Sequence, residues 1–208
     1  MIENNRNRKI YMDGAATMPT DPEVIESMLA CLNNKELFAN PSSVHASGRD
    51  AMHKIEKARD QISTLINANK EDLIFTSGAT ESNNLAIIGS AKFRANHGKH
   101  LITMTTEHKA VSGPFDYLEE EGFEVTRLRP GTDGLLDTKQ LKKAIREDTQ
   151  LVSIMHINNE IGAIQNIFEI ASVCEDQGVL FHCDAAQSVG KISIDLKKLP
   201  IDLLSISA

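Results

Sequence analysis

Apolar residues recur along this chain with two different periods. Val24, Ile25, Met28, Leu29 and Leu32 fall at helical spacing. The Thr20-Asp21-Pro22-Glu23 run in front of them offers a capping side chain, a proline for the first turn and an early acid, which predicts a helix over 21–33. From Ala51 onward, Ile55, Ala58, Ile62, Leu65 and Ile66 keep the same period, with Lys54, Glu56, Lys57, Arg59 and Asp60 on the other faces. Beyond this helix the pattern changes to short apolar runs separated by helical stretches: Leu73–Thr76, Leu101–Met104, Val125–Leu128, Leu151–His156, Val179–Cys183 and Leu203–Ile206. Such alternation predicts βαβ units. Several runs are apolar at every position, as strands covered on both faces are. The expected fold class is therefore α/β, a mostly parallel sheet in a three-layer α/β/α arrangement. Gly113-Pro114 interrupts the helix expected after His108, so a late start or a bend is predicted there.

Composition narrows the possible roles. With 208 residues and 41% apolar content the chain can bury a core of its own. Acidic residues outnumber basic ones, 29 to 22, without gathering into a run, which speaks for solubility and against a nucleic-acid surface. Cys31, Cys174 and Cys183 show neither CxxC nor Cys/His spacing, so no disulfide framework and no metal site is expected. Met1 to Lys9 is polar and basic with no apolar stretch behind it, and no eighteen apolar residues run together. A cytoplasmic protein without a membrane anchor is the expectation.

In open α/β sheets ligands gather at the carboxyl ends of the strands. The residues that follow the predicted strands are polar at five places: Ser77-Gly78-Ala79-Thr80-Glu81-Ser82-Asn83-Asn84, Thr105-Thr106-Glu107-His108-Lys109, Asn158-Asn159-Glu160, Asp184-Ala185-Ala186-Gln187-Ser188 and Ser207. Each also has a plainer reading. Ser77 to Thr80 suit a helix cap as well as a phosphate. His108 and Asp184 suit helix starts, and Asn159 and Gln187 suit loop backbone. Their convergence on one rim favours a shared ligand. Helix amides for a phosphate, a flat imidazole for stacking and a carboxylate for a ring nitrogen together describe a site for pyridoxal 5'-phosphate. Neither a P-loop nor a G-x-G-x-x-G fingerprint occurs, which disfavours nucleotides.

Six stretches carry a more specific signal: Tyr11-Met12-Asp13-Gly14-Ala15-Ala16-Thr17, Asn40-Pro41-Ser42-Ser43, Phe75 to Asn84, Thr106-Glu107-His108-Lys109-Ala110-Val111, Met155 to Gly162 and Asp184 to Gly190. In this order and spacing they resemble the cysteine desulfurases of the iron-sulfur-cluster assembly type, within the class V aminotransferase-like, fold-type I pyridoxal-phosphate enzymes. The resemblance runs from about Ile10 to Ala208. It implies a PLP-dependent transferase-like large domain over 16–208, preceded by an N-terminal segment, 1–15, with the C-terminal small domain absent. It implies that Ala79, Thr80 and Ser207 hold the cofactor phosphate, that His108 stacks on the ring and moves protons, and that Asp184 pairs with the ring nitrogen. Asn159 and Gln187 are then expected at the phenolic oxygen and substrate side, with Ala15, Ala16 and Asn40 near the substrate.

The resemblance further implies L-cysteine as substrate, L-alanine as product, a sulfur-acceptor or iron-sulfur scaffold protein as partner, and a homodimer. In the family a His-Lys pair follows the last strand, and its lysine is the Schiff-base lysine. This chain reaches Ala208, two residues short of that lysine, and the family's sulfur-accepting cysteine also lies further on. An inactive chain is the corresponding expectation. A selenocysteine lyase, another class V enzyme and a non-catalytic truncated fragment are the alternatives. Cys183, beside Asp184 in a strand, reads as a small hydrophobe.

Overall fold

The computed structural model describes residues 10–34 and 37–207. The expectations placed on Met1 to Lys9 and on Ala208 itself lie outside the described residues. The chain divides into two compact units, Met1–Ile55 and Glu56–Ala208.

In the first unit, α1 spans Pro22–Leu32, close to the predicted 21–33. Asp21 caps it by accepting from the Glu23 amide, and the first-turn proline sits where no intrahelical donor is needed. The apolar stripe of α1 is exposed along its length, from Val24 to Leu32. Ahead of it the Tyr11 hydroxyl donates to the carbonyls of Asp13 (2.8 Å) and Thr17 (2.9 Å), closing a turn over Ala15 and Ala16. Asn40 shapes a second turn, its side-chain oxygen accepting from the Ser42 amide at 2.9 Å. Helix α2, Ala46–Ile66, begins five residues earlier than its apolar pattern from Ala51 shows.

The second unit carries the sheet. In chain order it contains α3 (Ala79–Phe93), β1 (His100–Met104), α4 (Lys109–Glu120), β2 (Glu124–Leu128), α5 (Thr138–Ala144), β3 (Thr149–Met155), α6 (Ile167–Asp176), β4 (Leu180–Asp184) and β5 (Leu203–Ser205). The strands pair in the order β2-β1-β3-β4-β5, every pair parallel. Side chains alternate across the strands, so Leu101 and Leu151 join Ile87, Ala91, Val111, Phe115 and Leu118 in one apolar layer. Ile102, Val152, Ile154 and Phe181 meet Leu141, Ile167, Ile170 and Cys174 in the other. Helices α3 and α4 therefore cover one face and α5 and α6 the other, which is the expected three-layer arrangement.

Two expectations need correction. Leu73–Thr76 is not a strand: it follows a short 3-10 turn, Lys70–Asp72, and pairs with no strand among the described residues, leaving Ile74 69% and Phe75 48% exposed. Apolar β-branched sequence forms a strand only where a ladder receives it, and here Arg59 instead donates to the Leu73 carbonyl and lies over the Phe75 ring at 4.9 Å. Nor does α4 start late. It begins directly after His108 and runs through Gly113 and a buried Pro114. Six residues into the helix, proline costs one ladder bond but packs its ring into the core.

Candidate functional site at the carboxyl edge of the sheet

The strand order reverses direction between β1 and β3: the chain leaves β1 toward β2 and returns to the far side of β1 as β3. Such a switch point opens a crevice at the carboxyl ends of the two strands. The expected residues of the second unit stand around it and along the neighbouring tips of β4 and β5.

Asp184 is the last residue of β4, opposite Met155 of β3 and Ser205 of β5. It is 7% exposed. Its Oδ2 accepts from Asn83 Nδ2 at 2.8 Å and its Oδ1 from the Ala186 amide at 3.0 Å. Each carboxyl oxygen thus has a donor of its own. Asn83 reaches it from α3, where the buried positions Asn83, Ile87 and Ala91 form a stripe at spacing four. One side chain thus ties the start of α3 to the tip of β4.

Ala79 and Thr80 open α3. Its N-cap, Gly78, has no side-chain cap and stands at φ 154°, ψ 176°, backbone space open essentially to glycine. A Cβ built there would meet nothing within 4 Å, so the approach to the helix start is open. In front, Ser77 donates its amide to Glu81 Oε2 at 2.6 Å, which lowers the Glu81 carboxyl below its usual range. Beside the starts of α3 and α4 lies a groove of about 480 Å³ lined by Thr80, Asn84, Lys109, Ala110 and Tyr117.

His108 is the N-cap of α4: its Nδ1 accepts from the Ala110 amide at 3.0 Å and the residue is exposed. The capping reading is thereby realised, and with Nδ1 accepting, Nε2 is the nitrogen left for proton exchange. Glu107 precedes it. The Glu107 carboxyl accepts from the Met155 amide at 3.0 Å, linking the loop after β1 to the tip of β3. Its enclosure is the main cause that pushes this carboxyl up to about 8, with the negative charge of Asp184 adding to it.

Asn159 is half-buried and donates to Glu160 Oε1 at 2.8 Å. Its neighbour Asn158 organises the loop, donating to the Thr106 carbonyl and accepting from the Glu160 and Ile161 amides. Gln187 Oε1 accepts from Lys191 Nζ at 3.1 Å, and Ser207 stands exposed two residues beyond Ser205. The structure thus gathers Ala79, Thr80, His108, Asn159, Asp184, Gln187 and Ser207 along one edge of the second unit. Ala15, Ala16 and Asn40 belong to the first unit.

Three residues at this edge stand in the polar runs after the predicted strands but receive no role from residue type. Asn83 and Glu107 lie inside runs that are polar throughout, and Asn158 hides beside Asn159. Beyond its place in that run, the signal for Asn83 is its phase, four residues ahead of Ile87 on the apolar stripe of α3.

The remaining polar interior is structural. His182 is fully buried between Ser153 (2.8 Å) and Ser205 (3.0 Å), and burial pushes its ring down to about 3. Burial holds the Cys174 thiol up at about 12 and raises Cys183 well above its ordinary value, as befits small apolar side chains. Among the described residues no group of three His, Cys, Asp or Glu is arranged to hold a metal, and no helix is long and apolar enough to cross a membrane.

Residues 10–208 match the family model described as aminotransferase class-V. A protein of Proteus mirabilis named cysteine desulfurase IscS is 53% identical over 200 residues, and one of Buchnera aphidicola with the same name is 54% identical over 200. Each match covers 96% of this chain and 50% of the relative, so the chain spans about half the length of the curated relatives it matches. Among solved structures, one described as SspA in complex with cysteine superposes with a TM-score of 0.91 at 42% identity, covering 96% of this chain and 57% of the other. A cysteine desulfurase of Thermococcus onnurineus in its apo form gives 0.87 at 31% identity, covering 95% of this chain and 49% of the other.

Proposed function

This chain belongs to the class V aminotransferase family, and from that premise we propose that it forms the cofactor-holding part of a pyridoxal-phosphate-dependent cysteine desulfurase. The observation that carries the reading is Asp184: a buried carboxylate at the carboxyl edge of a parallel sheet, held by Asn83 and the Ala186 amide. An anion so fixed is suited to a cationic ring nitrogen. Beside it, the uncapped start of α3 with its open approach over Gly78 suits a phosphate. The residues present therefore fit this cofactor.

When bound, pyridoxal phosphate supplies an electron sink for negative charge developing on the substrate. The amides of Ala79 and Thr80, with the Thr80 and Ser207 hydroxyls, hold the phosphate. Asp184 keeps a proton on the ring nitrogen. His108, oriented through its Nδ1 by the Ala110 amide, would stack on the ring and exchange protons at Nε2. Asn159 and Gln187 serve the phenolic-oxygen and substrate side, and Ala15, Ala16 and Asn40 the substrate.

The substrate proposed is L-cysteine, converted to L-alanine with its sulfur left as a persulfide on an enzyme thiol. Cys174 and Cys183 do not suit that thiol, because burial keeps both protonated. A sulfur-acceptor or iron-sulfur scaffold protein, a homodimer and a cytoplasmic setting complete the proposal.

The test is Asp184→Ala in the protein carried at the full length of its relatives. Pyridoxal phosphate is expected to bind still, through its phosphate, with a changed absorption spectrum, while alanine formation falls by about 100-fold or more, as removing a preorganised charge in an enclosed site does. Alanine and sulfide production at the unsubstituted rate would overturn the assignment.

A further inference from the structure

The switch-point crevice is bridged by a carboxyl group that the proposed chemistry does not use. Glu107 closes the loop after β1, and its Oε1 accepts from the Met155 amide at 3.0 Å, across the gap between the β1 and β3 tips. Although the residue as a whole is half-buried, its Oε2 is enclosed and has no hydrogen-bond partner. A second enclosed atom without a partner stands by the same anion: Oδ1 of Asn83, a fully buried residue whose Nδ2 already donates to Asp184.

We infer that Glu107 is a neutral, proton-bearing strut across this crevice: its carboxyl group joins the loop carrying His108 to the tip of β3 and leaves to Asp184 the charge that would pair with the cofactor's ring nitrogen. The last clause rests on the reading of Asp184 given above; the state of Glu107 itself does not.

Three observations support the inference. An ionised Glu107 would place an enclosed carboxylate oxygen without a donor next to a second anion, an arrangement that desolvation and like-charge repulsion both oppose. Asp184, with a donor on each oxygen, is the member of the pair equipped to carry the charge. Bearing the proton on Oε2, Glu107 still accepts the Met155 amide through Oε1, so the link between the loop and β3 needs no charge.

Among the described residues, the titratable groups around Glu107 give it no cationic partner in contact. From β4 it faces Asp184, which raises it, and the Cys183 thiol, which both carboxyls help to raise. From the end of β3 comes His156, whose ring burial pushes down toward the neutral form. Its own loop continues into His108, engaged at the α4 cap, and Lys109, which makes no ion pair with it. Enclosure and Asp184 thus hold the carboxyl up near 8. As a positioning residue, Glu107 acts through the placement of its loop and through its lack of charge.

The test begins with cofactor-free protein. Infrared difference spectra across a pH titration should show the carbonyl band of a protonated carboxylic acid at neutral pH, lost with a midpoint near 8 and absent from Glu107→Gln. That variant keeps the neutral shape and an acceptor for Met155. Its affinity for pyridoxal phosphate, read by absorbance titration, should stay within about twofold of the unsubstituted protein at neutral pH but lose the break near 8, because only the ionisable group is removed. A merely structural role would shift the affinity equally at every pH. Should the variant not fold, side-chain carbon NMR of glutamate-labelled unsubstituted protein decides: a glutamate titrating above neutrality sustains the strut. The inference is overturned if no such glutamate or carboxylic-acid band exists, or if the band persists in Glu107→Gln. Protein that shows the band yet binds no pyridoxal phosphate would sustain the strut and overturn the reading of Asp184.

Discussion

At the scale of single residues, the most informative neighbour of Asp184 is Asn83. Asn83→Ala removes the donor on Asp184 Oδ2, leaving a buried carboxylate oxygen short of a partner, and is expected to cost about 1–3 kcal/mol of stability. It should also weaken pyridoxal phosphate binding, whereas an alanine at Ile87, on the same stripe, should lower stability without that selectivity. Denaturant unfolding paired with cofactor absorbance separates the two. Glu107 makes a prediction of opposite character, because its carboxyl is raised in the folded state from 4.5 to about 8. A raised carboxyl stabilises the fold fully below its unfolded value, and that contribution is lost as pH rises through the window from 4.5 to about 8. Glu107→Gln should therefore flatten the fall of stability across that window, measured by urea unfolding at a series of pH values. An unchanged slope would show that Glu107 is ionised throughout.

At the scale of elements, the sheet is pinned by polar side chains that bridge strands rather than by apolar packing alone. His182 of β4 reaches Ser153 on β3 and Ser205 on β5, so His182→Leu leaves two buried hydroxyls unpartnered. A loss of about 2–4 kcal/mol is expected from two such groups. The pH sign differs from that of Glu107. The His182 ring is depressed from 6.5 to about 3, so the unfolded chain takes up a proton that the folded one refuses, and stability falls as pH drops through that window. The leucine variant should lose this acid limb while remaining less stable at neutral pH, which unfolding curves on both sides of 6.5 will show. Such bridges also explain which elements could be read from the sequence. Strands with apolar interiors, such as Leu101–Met104 and Leu151 onward, announce themselves. The polar start of β3 does not, because Thr149 is satisfied sideways by His100 at 2.6 Å. Asp184 turns out to be the last residue of β4 rather than the first beyond it, since its backbone continues the ladder with Met155. Leu73–Thr76 misleads for the opposite reason, having strand composition but no ladder among the described residues. The site followed the same rule. The polar runs after the predicted strands were legible from position, while what Asn83 and Glu107 do to their neighbours emerges only from the contacts of the folded chain.

At the scale of the whole molecule, the exposed apolar surface makes the final prediction. In the second unit Ile74 and Phe75 are 69% and 48% exposed, with Arg59 stacked on the Phe75 ring, and β2 and β5 are the edges of the parallel sheet. In the first unit Val24, Met28, Leu29 and Leu32 present a continuous helical stripe, with Leu32 at 77%. Contiguous apolar patches of this kind and unpaired strand edges both drive association in water. The net charge of -7 opposes it only weakly at physiological ionic strength, where exposed charges are screened beyond about 8 Å. The 208-residue chain is therefore expected to sediment above its monomer mass of 22.9 kDa and to bind a hydrophobic dye. Because Ile74 stands outside both apolar layers, Ile74→Lys should lower dye binding and association without lowering the unfolding midpoint. A dye-silent monomer, or a lysine variant that unfolds earlier and associates as before, would place this segment inside the fold instead of on its surface.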